Sequence, residues 1–591
     1  MQRFNAWLDR DERRSLLLAL LALAALCGLV FGQQLGALGL MDKTEGLFVE
    51  IPREMLVNGD WVTPRWNGEL FFDYPVWGYW MVALSFRLFG VSEWAARLPV
   101  ALAASATVYA VFAVLMLVAP AAEAMHQRLG RSLLGATVLA LSPGWLGWGR
   151  SSVTDMFLAS GITLALLGFV LAHSAPAERP WQRPVGFAAL GLFCGIAVLA
   201  KGPVGLLLPG LVMLVFWALK GTLFLELRRT PLVPLVLLFL GVAAPWYGMA
   251  TAANGTEFLG RFLGFSNLER FTSVIYDHPG PPWFYLPWVL LLLLPWSLYL
   301  PVAAIRLRFW RLNVWRETPP GADLPLLALL WLVLMVAFFS AAATKLPGYI
   351  LPALPGGSLL VALLFLPLQP EPTPLAAGQR ITGWCNAVLL ALMALAAVLA
   401  PRWIETDPSY PAFAEAVRAS GLPWLLALPL LLAAMALLLL LWRARSGLSW
   451  LWLPNAAGVA AALALVLPVL VPLVDRERQL PIRALARLAG EQALPNEPLL
   501  VVGYKRYSVV FYSGRPVLFV SSPRKAIRTL SQAPSTVNSS TAKPASVLLL
   551  GSDAELLEFG LGPGDGTPLG RRDAHRLLRL PVEELQQLEP R

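Results

Sequence analysis

The chain has 591 residues, of which 57% are hydrophobic and only 14% are charged. This composition excludes an ordinary soluble globular protein, in which about 25% of residues are charged. The formal net charge is +10, but no nucleic-acid-binding motif accompanies it. Much of the lysine and arginine lies in short loops between apolar segments. We therefore interpret the positive charge as a determinant of orientation in the membrane and of contact with anionic lipid headgroups. We expect no nucleic-acid partner.

Repeated windows of about 20 residues with almost no charge predict membrane-spanning helices. The first window is expected to be an uncleaved span, because no clear small-residue cleavage site follows it and further spans come after it. The sequence predicts about 13 spans, at 15–37, 98–119, 132–148, 155–173, 185–200, 203–219, 231–250, 284–304, 324–343, 349–367, 381–400, 422–442 and 448–474.

Charge at the loops predicts the orientation. Arg3, Arg10, Arg13 and Arg14 precede the first span, which places the N-terminus in the cytoplasm by the positive-inside rule. With this register every second loop is basic. The opposite face then receives the long loop 39–97, the loops 251–283 and 401–421 and the C-terminal tail, so the unusual polar residues collect on the side away from the cytoplasm.

The sequence predicts two domains, a transmembrane domain at 1–474 that includes the external loop 39–97 and a small α/β domain outside the membrane at 475–591. In the second domain, PLLVVGYKRYSVVFYSGRPVLFV predicts two strands around a turn at Ser513–Gly514. The stretch SVLLLGSDAELLEFG predicts a buried strand that runs into a helix.

The stretch 39–80 carries acids and arginines interleaved with tryptophan and phenylalanine. Ionisable groups this close to hydrocarbon mark a functional site by default, whereas a solvated loop with an interfacial aromatic anchor is the alternative. Asp42 and Glu45 follow the first span. A carboxylate there suits a general base or a metal ligand, and equally the end of a helix.

Further candidates lie at outer span ends. Asp73 and Tyr74 precede Pro75 and are therefore expected in an extended loop. Asp155 begins the fourth span, where a helix cap is the competing interpretation. Lys201 and Lys345 either snorkel or bind an anion. Together with Arg270, these lysines favour a phosphate site.

The run DKTEGLFVEIPREMLVNGDWVTPRWNGELFFDYPVWGYW resembles the first external loop of the ArnT-like polyprenyl-phosphate-sugar transferases. These are related to the lipid A aminoarabinose transferase and the protein O-mannosyltransferases of the GT-C superfamily. The resemblance covers residues 10–370 closely and the remainder in architecture. Further similar segments follow in order: SSVTDMF, LAKGPVGLLLP, NLERFTSVIYDHPGPPWFYLP, LPWSLYLP and FSAAATKLPGYILPALP.

The resemblance implies a polytopic α-helical membrane protein of GT-C type, with interfacial external-loop helices and a small C-terminal α/β periplasmic domain. It implies a monomeric glycosyltransferase of the bacterial inner membrane that takes a sugar from undecaprenyl phosphate, or a similar lipid, on the periplasmic side. The acceptor would be a lipid, a glycan or a protein of the envelope.

The resemblance also assigns residues. It implies catalytic roles for Asp42, Asp73 and Asp155, and substrate-binding roles for Tyr74, Asn267, Arg270, Lys345 and Tyr349. Our interpretation of the residues adds Lys43, Glu45, Arg65 and Lys201 to the substrate-binding set. Tyr74 stands where the family has a phosphate-binding lysine, and Ser266 stands where it often has histidine.

The mechanism needs no nucleotide, because the phosphate leaving group already sits on the anomeric carbon, and the sequence contains no Gly-rich phosphate loop. It needs a carboxylate for the incoming group and cations for the departing phosphate. We assign the first role to Asp42 and the second to a set drawn from Lys43, Arg65, Arg270 and Lys345. No cofactor is assigned and no metal ligands are named, although a divalent metal is left open.

A transporter or flippase for a lipid-linked sugar is the main alternative. Transporters keep polar residues near the bilayer midplane, whereas the ionisable residues here collect at span ends on one face.

Overall fold

The computed structural model describes the chain except residues 1, 121, 275–277, 369–375, 406, 444–449, 533–543 and 589–591. Helices build residues 2–474, with one short hairpin of two strands in the external loop. In chain order the elements are α1 Gln2–Arg10, α2 Glu12–Cys27, α3 Thr44–Asn58, β1 Arg65–Trp66, β2 Glu69–Leu70, α4 Trp77–Phe89, α5 Glu93–Val118, α6 Met125–Leu141, α7 Pro143–Trp148, α8 Thr154–His173, α9 Gln182–Lys201, α10 Val204–Lys220, α11 Leu223–Arg229, α12 Leu232–Leu259, α13 Arg270–Thr272, α14 Tyr285–Leu292, α15 Leu300–Leu307, α16 Leu312–Glu317, α17 Leu324–Ala341, α18 Leu354–Phe365, α19 Ala376–Leu399, α20 Phe413–Ala419, α21 Leu422–Arg443 and α22 Trp452–Val474.

Helices and strands alternate in the C-terminal part. These elements are α23 Leu480–Gln492, β3 Leu499–Val502, α24 Ser508–Ser513, β4 Val517–Val520, α25 Pro523–Gln532, β5 Ser546–Ser552, α26 Asp553–Glu558, β6 Thr567–Arg572, β7 His575–Pro581 and α27 Val582–Gln587.

Ten helices in the described part of the chain are long and apolar enough to cross a membrane, or eleven if one bent pair counts as a span. The chain is therefore a multi-span membrane protein. The ten helices are Glu12–Gly32, Glu93–Val118, Thr154–His173, Gln182–Lys201, Leu232–Gly255, Leu324–Ala341, Pro347–Phe365, Ala377–Arg402, Leu422–Arg443 and Trp452–Gln492.

Each predicted segment contains helix in its described residues, but fewer than the predicted number are full-length spans. The segment 203–219 corresponds to α10, whose 17 residues are about 26 Å long, less than the hydrocarbon core. The segment 132–148 covers the second part of α6 and all of α7, with a break at Ser142 between them. The segment 284–304 is the bent pair, with an angle of 112° between its two helices.

Close packing of α8 against α9 lies at the centre of the membrane part. A Cβ on Gly186 would lie 2.4 Å from the carbonyl oxygen of Gly168, and one on Gly161 would lie 2.9 Å from the Cβ of Ala197. Small residues at such a crossing let two helix backbones approach closely. Because α8 and α9 are antiparallel, this crossing brings Asp155, at the start of α8, beside Lys201, at the end of α9.

The opposite end of the same bundle is held by a separate ion-pair group. Asp323 accepts from His173 Nε2 at 3.0 Å and lies 2.9 Å from Lys220 Nζ. His173 ends α8, and Asp155 begins it. The two polar groups therefore lie at opposite ends of a helix that is buried along most of its length.

The C-terminal part contains a five-stranded sheet with strand order β4-β3-β5-β7-β6. Strands β4, β3 and β5 are parallel, whereas β7 and β6 join the sheet antiparallel. The predicted buried strand that runs into a helix is confirmed as β5 followed by α26, which begins with a capping box from Ser552 and Glu555.

The stretch around Ser513–Gly514 forms two strands as predicted, β3 and β4, but the prediction that only a turn joins them is wrong. Ser508–Ser513 forms the helix α24, which ends at Gly514 in the left-handed conformation with φ +63°. Aromatic and β-branched residues favour a strand locally, but α24 connects two parallel strands, and such strands need a crossover between them. The stretch is thus a β–α–β unit.

Arg97, on α5, fixes the chain where it leaves the first span. Its guanidinium donates to Glu45 Oε1 at 2.8 Å and Oε2 at 2.7 Å, and to the carbonyls of Leu35, Leu38 and Gly39. The side chains of Arg97 and Glu45 are 4% and 2% exposed. Removing one partner would leave the other charge buried and unpaired.

We therefore predict that Arg97→Met destabilises the protein by about 3–5 kcal/mol, the usual cost of breaking a buried ion pair from one side. The measurement is thermal unfolding of the purified protein in detergent. Arg87→Met, at an exposed arginine of α4, is the matched control and should unfold as the wild type does. An unchanged melting temperature for Arg97→Met would contradict this account of the pair.

Candidate active site

Asp42 lies just beyond the first span and is bound by the C-terminal part of the chain. The backbone N–H of Ser508 donates to Asp42 Oδ1 at 2.7 Å, and the Ser508 hydroxyl donates to Oδ2 at 2.9 Å. Burial raises the pKa of Asp42, although the Ser508 hydrogen bonds and the charge of Arg506 act in the opposite direction. A carboxylate with a raised pKa is a better proton acceptor.

Two tyrosines and an arginine interact electrostatically with this carboxylate. Burial raises the pKa of Tyr504, and the charge of Asp42 raises it further. Burial also raises the pKa of Tyr410, while the charges of Arg506 and Arg478 lower it. Arg506 in turn is held 3.0 Å from Glu555. We call the following set the carboxylate seat: Asp42, Tyr410, Tyr504, Arg506 and Ser508.

A second cluster surrounds Lys201. Its ammonium group donates to Asp155 Oδ1 at 2.5 Å and lies 5.5 Å from the ring centre of Tyr74 and 4.7 Å from that of Tyr349. The side chains of Lys201 and Asp155 are 10% and 18% exposed. We call Asp155, Lys201, Tyr74 and Tyr349 the lysine cage. Its four members come from four separate segments of the chain, and all four belong to the set that the sequence predicted.

Glu45 connects the two clusters. Its Oε2 accepts the N–H of Met41, next to Asp42, at 3.0 Å, and its Oε1 accepts the N–H of Ser152, near Asp155, at 3.0 Å. Burial acts to raise the pKa of Glu45, but Arg97 and these N–H groups hold it below its ordinary value. The Glu45 carboxylate thus accepts hydrogen bonds on both oxygens, from the residue before Asp42 and from the segment before Asp155.

Asp73 and Lys43 lie at the edges of these clusters. Burial raises the pKa of Tyr79 well above its ordinary value, and the nearby Tyr74 and Asp73 raise it further. Lys43 Nζ lies 5.1 Å from the ring centre of Tyr504. Asp73 is therefore placed on the cage side and Lys43 on the seat side.

The other predicted residues either have contacts outside the two clusters or have side chains that the structure does not describe. The Lys345 ammonium donates to the carbonyls of Ser340, at 3.0 Å, and Ala342, and so caps the end of α17. Arg65 lies in β1. Burial raises the pKa of Glu54, and the charge of Arg65 acts to lower it. For Asn267 and Arg270 the described part covers the backbone only, so the positions of their side chains lie outside it.

In the described ranges, no three or more His, Cys, Asp or Glu side chains come together as a metal-binding group. Neither cluster offers such a donor set: the seat contains one carboxylate at its centre, and the cage contains one.

Sequence reasoning missed four members of the carboxylate seat: Tyr410, Tyr504, Arg506 and Ser508. Ser508 and Asp42 are 466 positions apart, and the stretch that contains Ser508 was predicted as a strand. Its one local signal is the run YKRYS, in which two cationic residues lie between two tyrosines and the serine follows.

Two family models match the chain. Residues 15–254 match the dolichyl-phosphate-mannose-protein mannosyltransferase model, and residues 492–591 match the C-terminal domain of cyanobacterial RgtA-type glycosyltransferases. The carboxylate seat lies where these two parts meet, since Asp42 belongs to the first and Ser508 to the second.

Curated relatives carry the name undecaprenyl phosphate-alpha-4-amino-4-deoxy-L-arabinose arabinosyl transferase. The relative from Erwinia tasmaniensis is 31% identical over 371 residues, and that from Pseudomonas paraeruginosa is 33% identical over 377 residues. Each alignment covers 63% of this chain and 63% of the relative. The chain thus spans less than two thirds of the length of these relatives.

A solved structure shares the fold over nearly the whole chain. The crystal structure of ArnT from Cupriavidus metallidurans bound to undecaprenyl phosphate has a TM-score of 0.74 and 23% identity, and the match covers 95% of this chain and 97% of that one. The apo form of the same protein gives a TM-score of 0.72 at 22% identity. Together with the sequence matches, this shared fold supports the resemblance of the chain to the ArnT-like proteins.

Proposed function

We propose that this chain is an integral-membrane glycosyltransferase that moves a sugar from a polyprenyl phosphate, of the undecaprenyl type, to an acceptor of the cell envelope. The observation that carries the proposal is the placement of a partly buried carboxylate, Asp42, and a caged lysine, Lys201, at one end of a membrane bundle. The printed names of the relatives, and the lipid bound in the ArnT crystal structure, support the choice of donor.

In the proposed reaction Asp42 acts as the base. It accepts the proton of the acceptor hydroxyl as that oxygen attacks the anomeric carbon of the sugar. The bond between this carbon and the phosphate oxygen breaks, and its electron pair leaves with the polyprenyl phosphate. The base needs a pKa above that of an ordinary carboxyl group to act well near neutral pH, and burial of Asp42 shifts its pKa in this direction.

The departing phosphate needs positive charge at the place where negative charge develops. We propose that Lys201 supplies it from the lysine cage. Tyr74 and Tyr349 hold the ammonium by its favourable contact with their rings, and Asp155 orients it. Asp73, Lys43, Arg65, Asn267, Arg270 and Lys345 stay predicted site residues of this reaction.

The proposal also includes a location and a division of the chain. We place the N-terminus in the cytoplasm of a bacterium, and both clusters on the periplasmic side of its inner membrane, as the loop charges favour. We divide the chain into the membrane domain 1–474 and the periplasmic domain 475–591, although one helix, Trp452–Gln492, runs through the division.

We predict that the purified protein transfers radiolabel from an undecaprenyl-phosphate sugar to a fraction of cell-envelope extract. Donors that carry 4-amino-4-deoxy-arabinose, other pentoses and hexoses are compared, and the labelled acceptor fraction is identified by chromatography. A flippase would move the labelled lipid across sealed vesicles without releasing its sugar. That result, with no donor giving transfer, would contradict the proposal.

We predict that Asp42→Asn lowers transfer by at least about 100-fold, since it removes the proton acceptor and keeps the size of the side chain. Binding of undecaprenyl phosphate, measured by displacement of a labelled analogue, should stay within about twofold of the wild type. Glu69→Gln, at an exposed carboxylate of the same external loop, is the matched control. Wild-type turnover by Asp42→Asn would remove Asp42 from the mechanism.

We predict that Lys201→Met weakens binding of undecaprenyl phosphate by about 10-fold or more, because a charge-assisted contact to phosphate is lost. Lys525→Met makes the same substitution at an exposed lysine of α25 and should leave binding of undecaprenyl phosphate unchanged. The double variant Asp155→Asn/Lys201→Met separates the two roles of the lysine. If this pair restores binding, Lys201 serves only to neutralise Asp155.

A further inference from the structure

Ser508 makes a two-point contact with the proposed base. Its N–H binds one oxygen of Asp42 and its hydroxyl binds the other, so both oxygens are held by a single residue of the C-terminal sheet domain. Two donors on two oxygens fix the rotation of a carboxylate about its own axis, which one hydrogen bond does not. Because each carboxylate oxygen has a second lone pair, both oxygens can still accept a hydrogen bond from another group.

This contact belongs to a wider docking of the C-terminal domain on the external loop. A Cβ on Gly46 would lie 2.5 Å from the backbone nitrogen of Ser508, so α3 approaches α24 as closely as a glycine permits. Asn67 exchanges two hydrogen bonds with the backbone of Val517, at 2.9 and 2.8 Å. The Tyr512 hydroxyl accepts the N–H of Leu40 at 2.8 Å. The position of Ser508 relative to Asp42 is therefore fixed on several sides.

We propose that Ser508 is the positioning residue for Asp42, and that docking of the C-terminal domain thereby completes the active site. The inference rests on the proposed function of Asp42 as the base. It gives the domain a part in the reaction itself, because the orientation of the base depends on a side chain that the membrane domain does not supply. An acceptor hydroxyl must then enter between the membrane surface and this domain to reach Asp42.

The same contact would have the opposite effect if Ser508 merely blocked the base. A blocking serine occupies the place of the acceptor hydroxyl, so its removal would speed the reaction. A positioning serine leaves a lone pair free on each oxygen, so its removal slows the reaction. The direction of the change in rate therefore separates the two roles.

Removal of the Ser508 hydroxyl should also change the titration of Asp42. The groups that face Asp42 are Arg506 and Tyr504 of the C-terminal domain, Tyr410 of the loop 401–421, Glu45 of α3 and the adjacent Lys43. None of them is altered by a substitution at Ser508. The hydroxyl donates to the charged form of the carboxylate, so its loss favours the protonated form and raises the pKa of Asp42.

The test compares Ser508→Ala, Ser508→Thr and Ser513→Ala in the full-length protein, with the donor and acceptor fraction that the wild type uses. Ser508→Ala keeps the N–H and loses the hydroxyl, and should lower kcat by about 10- to 100-fold with an unchanged KM for the donor. The acid limb of its kcat profile should move to higher pH. Ser508→Thr should restore both. Ser513→Ala removes a buried hydroxyl of α24 that donates to the carbonyl of Val510 at 3.5 Å, and should behave as the wild type.

A second readout does not depend on transfer. Dicyclohexylcarbodiimide modifies protonated carboxyl groups in an apolar environment, and mass spectrometry of the peptide that contains Asp42 measures the extent. We expect the pH midpoint of this modification to rise in Ser508→Ala, to return in Ser508→Thr and to stay constant in Ser513→Ala. If the wild type transfers no sugar, the proposed function fails, and the labelling still decides whether Ser508 controls Asp42. An unchanged midpoint, or faster transfer by Ser508→Ala, would overturn the inference.

Discussion

The buried pair between Glu45 and Arg97 is the interaction on which the outer end of the molecule depends. Arg97 donates hydrogen bonds to three carbonyls in the turn after the first span. Glu45 pairs with Arg97 and also accepts hydrogen bonds from two backbone N–H groups. A buried charge pair is a weak source of net stability, but breaking it from one side is costly because the remaining charge is left buried without its partner. The first span, α3, α5 and the start of α8 are thereby held in one arrangement.

The positions of the membrane helices could be predicted from the sequence because hydrocarbon imposes a local rule. Every backbone polar group in a span must be paired within the helix, so length and hydropathy are sufficient to find it. The rule is less exact where a helix is short, interrupted or bent: 203–219 is the 17-residue α10, 132–148 runs over the break between α6 and α7, and 284–304 is the bent pair. Hydropathy averages composition over a window, and so it does not record where a helix ends or bends.

The candidate site could be predicted only in part, for a physical reason that Asp42 and Glu45 illustrate. They are three positions apart, and local sequence gave both the same interpretation, as acids at the end of a span. The fold gives them different partners. Glu45 is bound by Arg97 and two backbone N–H groups, whereas Asp42 is bound by a serine 466 positions away. Asp155 likewise suggested a helix cap until the α8–α9 crossing placed Lys201 beside it. Long-range partners, which one sequence does not reveal, decide the role of each acid.

The two clusters divide the proposed reaction between two parts of the chain. The lysine cage is built by the membrane helices, the external loop and the turn before α18, in the part of the chain where a lipid phosphate would lie. The carboxylate seat takes four of its five residues from outside the first matched segment, 15–254, and three of them from the second, 492–591. Glu45 accepts hydrogen bonds from the backbone of Met41, next to Asp42, and of Ser152, three positions before Asp155. In the proposed reaction, a change in the C-terminal part of the chain would therefore act on Asp42 and leave the contacts within the lysine cage unchanged.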